Sequence, residues 1–131
     1  MDLCSKKMFV GQLEQVEVTE ENETLLFRFG EAPLFQRVWV QGVVVFVEDK
    51  YFYLDDGSGV VFVDGVKSSI VDPTERNVGD YLMVIGTLGL CTDGTRTIIA
   101  VKICNLNEDP NRETLWDLEV IEAQRRFYLP A

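Results

Sequence analysis

The side chains of this sequence that could do chemistry are mostly acids. The chain contains no histidine, so it lacks the commonest general base and the usual nitrogen ligand for metal ions. Asp55 and Asp56 are adjacent and could offer oxygen ligands to Mg²⁺, but no further acid at a suitable spacing completes a ligand set. Because Gly57, Ser58 and Gly59 follow directly, the sequence favours a hairpin turn over a metal site here.

No other motif indicates catalysis or a bound cofactor. The serines have no evident activating base, and the glycines do not form a phosphate-binding loop of the Walker type. The three cysteines, Cys4, Cys91 and Cys104, are odd in number and far apart, which predicts neither a disulfide framework nor a zinc site. We therefore expect a protein that is not an enzyme and that needs no metal or cofactor.

Aromatic residues and one lysine could instead bind a macromolecule. Tyr51, Tyr53 and Phe62 could stack on the bases of single-stranded nucleic acid, but aspartates adjoin them and would repel phosphates. Packing inside the protein or against an N-terminal arm is therefore the favoured interpretation of these rings. Lys102 is expected to face solvent, and its alternative role is to receive an acidic or carbonyl group of a bound peptide.

Composition suits a single acidic globular domain. The chain has 131 residues, 47% of them apolar, which is enough to build a core. The 22 acids outnumber the 12 bases and give a formal net charge of −10, which disfavours nucleic acids and anionic membranes as partners. No apolar run is long enough for a signal peptide or a membrane span, and we expect an intracellular, reducing compartment.

The elements that must position these residues are mainly β-strands. A long strand that contains Gly42 is followed by four more, with turn residues between them. The predicted strands cover residues 38–47, 51–54, 60–63, 81–88 and 97–103. This arrangement predicts an all-β, five-stranded OB-fold barrel, with a small SH3-like barrel as the alternative that has the same number of strands.

The sequence divides into three parts. We expect a lead-in arm over residues 1–36, the barrel over 37–108 and a C-terminal interaction helix over 109–131. The arm is expected to contain a short helix or extended stretch, a polar break and a short strand, at residues 8–18, 19–24 and 25–29.

The C-terminal helix carries more apolar surface than one small domain needs. Asp109 can cap its first turn, and Pro110 suits the first helical position. One stripe falls within about 60° around the helix axis and comprises Trp116, Val120, Ala123 and Phe127. Leu115 and Leu118 lie on one side of it, and Ile121 and Tyr128 lie on the other. The pattern predicts a second apolar surface for a partner, with burial between a sheet and a loop as the alternative.

Several segments occur in an order typical of one known family. They are Val-Trp-Val-Gln-Gly at 38–42, Leu-Asp-Asp-Gly-Ser-Gly at 54–59, Val-Gly-Asp-Tyr-Leu-Met-Val-Ile-Gly at 78–86, Ala-Val-Lys-Ile at 100–103 and Glu-Thr-Leu-Trp-Asp-Leu-Glu-Val at 113–120. In these segments the chain resembles the RecQ-mediated genome instability protein 2 family. The resemblance extends from about residue 33 to the C-terminus.

This resemblance implies a small, non-catalytic OB-fold subunit that acts in the nucleus. It implies pairing with an OB domain of RecQ-mediated genome instability protein 1. It also implies membership of the complex of a Bloom-type RecQ helicase and topoisomerase III, which dissolves double Holliday junctions without crossover. Strong direct DNA binding is not expected of the family. The alternative function is that of a single-stranded-DNA-binding OB protein of the replication protein A or telomere type.

The resemblance also assigns roles to residues. It places Lys102 and Trp116 where the family docks a peptide from a Fanconi-anaemia-type translocase, and it matches Lys7 to a lysine linked to complex binding. Together with the helix pattern, the candidate partner contacts are Trp116, Val120, Ala123, Phe127, Leu115, Ile121, Lys102 and Lys7. We expect the Trp116 stripe to face the partner and Leu115 and Leu118 to hold the helix to its own barrel, with the reverse as the alternative.

Overall fold

A closed β-barrel with an N-terminal arm and a C-terminal helix makes up the computed structural model. The structure describes residues 5–30, 34–66, 77–108 and 111–125. Strands β1 to β8 are Lys6–Lys7, Glu17–Glu21, Thr24–Arg28, Arg37–Glu48, Tyr51–Asp55, Val60–Asp64, Tyr81–Leu90 and Arg96–Asn105. A 3-10 helix spans Val10–Gln15, and helix α1 spans Arg112–Ala123. Within the described residues no helix has the length and hydropathy needed to cross a membrane.

Five strands, β4 to β8, close the barrel. β4 pairs antiparallel with both β5 and β7, so the sheet returns to its own first strand. β5 is antiparallel to β6 and β7 is antiparallel to β8, whereas β6 and β8 are parallel. This order confirms the predicted all-β OB-fold barrel, and each predicted barrel strand lies within an observed one.

β4 serves two sides of the barrel, because residues 37–43 pair with β7 and residues 43–48 pair with β5. Near the change of partner, at Gly42, its backbone passes very close to that of β5. A Cβ atom at this position would lie 2.7 Å from the carbonyl oxygen of Asp55, so only glycine lets the two backbones approach. Val38 and Val40 point inward and are fully buried. The residue between them points the other way, which puts Trp39 on the outer face of the barrel.

The N-terminal arm belongs to the same core as the barrel. β1 pairs in parallel with β4, and the 3-10 helix packs Val10 and Leu13 against buried barrel residues. Arg96 of β8 donates hydrogen bonds to the carbonyl oxygens of Leu13 and Val16, at 3.1 and 2.9 Å. The 3-10 helix is the short helix expected in this part of the arm.

The expected polar break at residues 19–24 is wrong. β2 and β3 form an antiparallel hairpin through this region, and the chain reverses at Asn22 and Glu23. Both residues have positive φ angles, 52° and 64°, as a two-residue turn of type I′ requires. Acidic residues on the exposed face masked the strand pattern, while Val18 and Leu25 on the other face pack against the core.

Helix α1 lies within the span predicted for the C-terminal helix. It follows the closing strand β8 and packs against β1 and β4. Asn111 precedes the first turn and makes no side-chain capping hydrogen bond. The predicted capping residues Asp109 and Pro110, and the aromatic residues Phe127 and Tyr128, lie outside the described residues.

Candidate protein-interaction site

Helix α1 presents one apolar face to its own barrel and another to solvent. Trp116 and Val120 are buried, with 1% and 0% of their surfaces exposed. Leu115, Leu118 and Ile121 are 47%, 59% and 54% exposed. The expected orientation of the helix is therefore wrong, because the Trp116 stripe holds the helix to the barrel and the two leucines face outward.

A second tryptophan, on β4, explains this orientation. Trp39 stacks on Trp116 with ring centroids 5.6 Å apart and ring planes inclined by 28°. The Nζ atom of Lys7 lies 4.7 Å from the centre of the Trp39 ring, in a cation–π contact. The indole N–H groups of both tryptophans are buried and donate no hydrogen bond within the described residues. Ring stacking and burial, rather than indole hydrogen bonds, therefore hold the helix here.

A row of side chains runs from this stack across the outer face of the barrel. Lys7 neighbours Trp39 on β1, Ile85 neighbours Trp39 on β7, and Lys102 neighbours Ile85 on β8. Lys102 is exposed, as predicted, and lies about 10 Å from Trp39 at the usual strand spacing. The structure thus brings three predicted site residues to one surface. We call it the tryptophan patch and define it as Lys7, Trp39, Ile85, Lys102 and Trp116.

Tyr81 of β7 has a partly buried hydroxyl that is hydrogen-bonded within the barrel and influenced by carboxylates of the helix. Its hydroxyl donates a hydrogen bond to Oε1 of Gln41 at 3.3 Å, and Gln41 is fully buried. Burial raises the pKa of Tyr81 above its ordinary value, and the carboxylates of Glu113 and Asp117 on the helix raise it further. The hydroxyl therefore stays protonated and remains a hydrogen-bond donor at neutral pH.

The other end of the helix is fastened to the N-terminal arm. The side-chain amides of Gln12 and Gln124 bond to each other in both directions, with Gln12 Nε2 donating to Gln124 Oε1 at 2.8 Å. Gln12 Oε1 also accepts a hydrogen bond from the backbone N–H of Phe9 at 3.0 Å. Sequence reasoning missed this pair because isolated glutamines form no periodic pattern. It also missed Trp39, because both alternating sides of this strand are largely apolar and the sequence does not show which side faces outward.

The remaining predicted contacts are divided between the two faces of the helix. Ala123 is half-buried, and Phe127 lies outside the described residues. Ile121 lies on the exposed face with the leucines. That any of the named residues contacts a partner stays a prediction.

The turn after β5 confirms the hairpin interpretation of the paired aspartates. Asp55 Oδ1 accepts a hydrogen bond from the backbone N–H of Gly57 at 2.8 Å, and Asp56 Oδ1 accepts one from that of Ser58 at 2.9 Å. The second oxygen of Asp56 accepts a hydrogen bond from the backbone N–H of Val10 at 2.8 Å. These carboxylates therefore shape the turn and anchor the arm to it.

The aromatic residues that we expected to pack inside the barrel or against the N-terminal arm lie on the outer face of the barrel. Tyr51 and Tyr53 are 39% and 40% exposed, and Phe62 is half-buried. The interpretation was wrong because Phe52 and Leu54, which alternate with the tyrosines, already point into the barrel and are buried there.

Comparison with known sequences identifies a family. Residues 4–124 match the family described as RecQ-mediated genome instability protein 2. Relatives of that name include the protein of Gallus gallus, 38% identical over 100 residues, and that of Mus musculus, 34% identical over 99 residues. The matches cover 73% and 75% of this chain, and 72% and 66% of the respective relatives.

Comparison with solved structures finds the same fold at low sequence identity. A chain in the crystal structure of the S. pombe Stn1–Ten1 complex is similar with a TM-score of 0.71 at 14% identity, over 94% of this chain and 93% of that one. The telomere capping protein Ten1 from Saccharomyces pombe is similar with a TM-score of 0.61 at 18% identity, over 93% and 99%. These likenesses establish the fold alone. Because the family match extends from residue 4 to residue 124, this chain belongs to the RecQ-mediated genome instability protein 2 family.

Proposed function

We propose that this chain is a non-catalytic scaffold subunit of a nuclear complex that maintains genome stability. Its direct partner is an OB domain of RecQ-mediated genome instability protein 1. The pair stabilises the complex of a Bloom-type RecQ helicase and topoisomerase III that dissolves double Holliday junctions. Family membership supports this assignment, and the likeness in fold to a chain of the Stn1–Ten1 complex supports pairing with a second protein.

The exposed apolar residues of helix α1 are the observation that carries the proposal. We call Leu115, Leu118 and Ile121 the outer band of the helix. The face that carries Trp116 and Val120 is already covered by the barrel, so the outer band is apolar surface beyond what the fold uses. Because about half of each side chain is exposed, covering it would contribute about 1 kcal/mol per residue.

Charge around the outer band indicates the kind of surface that fits it. Glu113, Asp117 and Glu122 are exposed on the same helix. A partner surface with an apolar centre and a basic rim would complement this arrangement, since interfaces usually have apolar centres and polar margins.

The tryptophan patch is the proposed docking site for a translocase peptide. Lys102 is exposed and can receive a carboxylate of the peptide, while Trp39 is only partly buried and offers a ring surface. Trp116 is itself buried, so its role in docking would be to hold Trp39 in place by stacking.

Binding of single-stranded DNA is the second candidate function, because Tyr51 and Tyr53 are exposed. Base stacking on such rings is how OB-folds hold single strands. The net charge of −10 opposes it, since phosphate binding depends on lysine and arginine. A change in the fluorescence anisotropy of labelled oligothymidylate at low salt, lost in Tyr53→Ala, would favour this alternative.

Co-expression with the OB domain of the proposed partner tests the scaffold function. We expect co-elution from a size-exclusion column for the parent chain, and loss of co-elution for Leu118→Asp and Ile121→Asp. Val60→Asp is the matched control, because Val60 is 54% exposed on β6, away from the helix. Failure of the parent chain to co-elute, or co-elution of all three variants, would contradict the proposal.

A further inference from the structure

Four aromatic rings form a second exposed surface, on the outer face of β4, β5 and β6. We call Phe46, Tyr51, Tyr53 and Phe62 the aromatic platform. The ring centroids are 6.0 Å apart for Phe46 and Tyr53, 5.4 Å for Tyr53 and Phe62, and 5.7 Å for Tyr51 and Phe62. Phe46 is 51% exposed, so these rings contact one another while they face solvent.

Carboxylates flank the aromatic platform on the same face of the sheet. Glu48 on β4 and Asp64 on β6 are the two cross-strand neighbours of Tyr51, so an acid stands on either side of this ring. Asp55 follows Tyr53 on the same face of β5. Asp55 and Asp64 each accept a backbone hydrogen bond through Oδ1. None of the three acids forms a salt bridge within the described residues.

We propose that the aromatic platform docks an extended, arginine-bearing segment of a partner protein. A guanidinium group is planar, stacks on aromatic rings and donates paired hydrogen bonds to carboxylates. The ring of Tyr51 between Glu48 and Asp64 offers both interactions side by side. A lysine ammonium would gain the charge attraction without the planar stacking. A nucleic-acid strand would bring its phosphates close to three carboxylates, which argues against it as the occupant.

This surface is separate from the one that carries the proposed pairing. Helix α1 packs against β1 and β4, and it reaches β4 at Trp39, before Gly42. The platform uses β5, β6 and the part of β4 beyond Gly42. The inference therefore does not rest on the identity of the partner that covers the outer band.

Titration of the full-length chain with short peptides, followed by ¹H–¹⁵N correlation NMR, tests the inference. The probe is a peptide that alternates glycine and arginine, and the comparison peptide replaces each arginine with lysine. We expect shift changes at residues 46–64 and tighter binding of the arginine peptide. Tyr51→Ala should weaken binding about threefold and Tyr51→Phe should not, because the ring of Tyr51 carries the proposed cation–π contact.

Variants that remove acidic charges distinguish docking at the aromatic platform from general attraction of a cationic peptide to an acidic protein. The double variant Glu48→Gln/Asp64→Asn should weaken binding more than Glu20→Gln/Glu21→Gln, which removes the same charge from exposed positions on β2. Equal binding of both peptides with no effect of Tyr51→Ala would overturn the inference. Shift changes confined to other strands, tighter binding of oligothymidylate at the same residues, or self-association lost in Tyr51→Ala would also overturn it.

Discussion

Trp116 shows how one side chain decides the orientation of a whole helix. It is almost completely buried, it stacks on Trp39, and its indole N–H donates no hydrogen bond within the described residues. Its contribution to stability therefore comes from buried area and ring shape. A residue with these properties mainly stabilises the fold of its own chain, and it offers almost no surface for contact with a partner.

Truncation of Trp116 should destabilise the isolated chain. We expect Trp116→Ala to lower the free energy of unfolding by about 3–5 kcal/mol, because it leaves a cavity beside Trp39. Trp116→Phe should cost much less, since it keeps a ring in place and removes an unpaired donor. Urea denaturation measures both values. Leu115→Ala, a truncation on the exposed face, is the control and should cost under about 1 kcal/mol. An unchanged midpoint for Trp116→Ala would show that the stack does not hold the helix.

Tyr81 should make stability depend on pH in the alkaline range. Burial and the nearby carboxylates raise its pKa in the folded chain above the ordinary value of about 10. The unfolded chain therefore loses this proton first as pH rises. The protonated hydroxyl of Tyr81 therefore contributes its full stabilisation at pH values below the pKa of Tyr81 in the unfolded chain. Above that pH the free energy of unfolding falls as the pH rises towards the higher pKa of Tyr81 in the folded chain. In urea titrations at alkaline pH, Tyr81→Phe should show a shallower decline than the parent. Tyr51→Phe controls for removal of a phenol, and identical declines for parent and Tyr81→Phe would contradict the prediction.

At the scale of elements, the N-terminal arm is part of the fold. β1 adds to the barrel sheet, the 3-10 helix contributes to the core, and the arm contacts the helix, the β5–β6 turn and β8. The helix is thus held between the barrel on one side and the arm at its end. Loss of the arm's contacts should therefore destabilise the barrel and the helix as well as the arm.

Arg96 offers a test of this integration. Arg96→Met removes two hydrogen bonds to carbonyl oxygens of the arm, and we expect the free energy of unfolding to fall by about 1–3 kcal/mol. Hydrogen exchange of the amides in Val10–Gln15 should also become faster. Arg28→Met, at an exposed position on β3, is the matched control. Equal stability and equal exchange in the two variants would show that the arm does not depend on Arg96.

The whole molecule combines a strongly negative charge with an apolar helix face. A charge of −10 opposes binding to phosphates and acidic surfaces, while the outer band is exposed on the helix. The proposed pairing should therefore be driven by apolar burial, with charges contributing mainly to orientation and association rate.

Calorimetry of the proposed pair tests this balance. We expect a negative heat-capacity change on binding, and an affinity that varies less than about threefold between about 0.1 and 1 M NaCl. Ile121→Asp should abolish the binding heat, whereas Val60→Asp should leave it intact. A steep loss of affinity with salt would show that charge pairs, and not the outer band, provide most of the binding free energy.

Much of the barrel was predictable because its signals are local. Runs of strand-forming residues, a glycine within a strand and a turn sequence are each recognised from neighbouring residues. The structure confirms the predicted strands, the close approach at Gly42 and the turn at Asp55 and Asp56. The β2–β3 hairpin was missed because acidic residues at the exposed positions of β2 hid its strand pattern. Its strand character depends on Val18 meeting the core, which no local pattern reveals.

The sequence by itself determined the five barrel strands, the C-terminal helix and the fact that this helix is apolar on more than one side, and it left an SH3-like barrel as the alternative to the OB-fold. Only the tertiary structure decided which side faces the barrel. The orientation of the helix depends on Trp39, which precedes Trp116 by 77 positions. It also depends on β1, the parallel strand that places Lys7 beside Trp39. Helical periodicity reports that a face is apolar, but contact between residues distant in sequence determines what covers it. For the same reason the sequence could not show that Tyr51 and Tyr53 face outward, because their orientation depends on Phe52 and Leu54 filling the barrel interior.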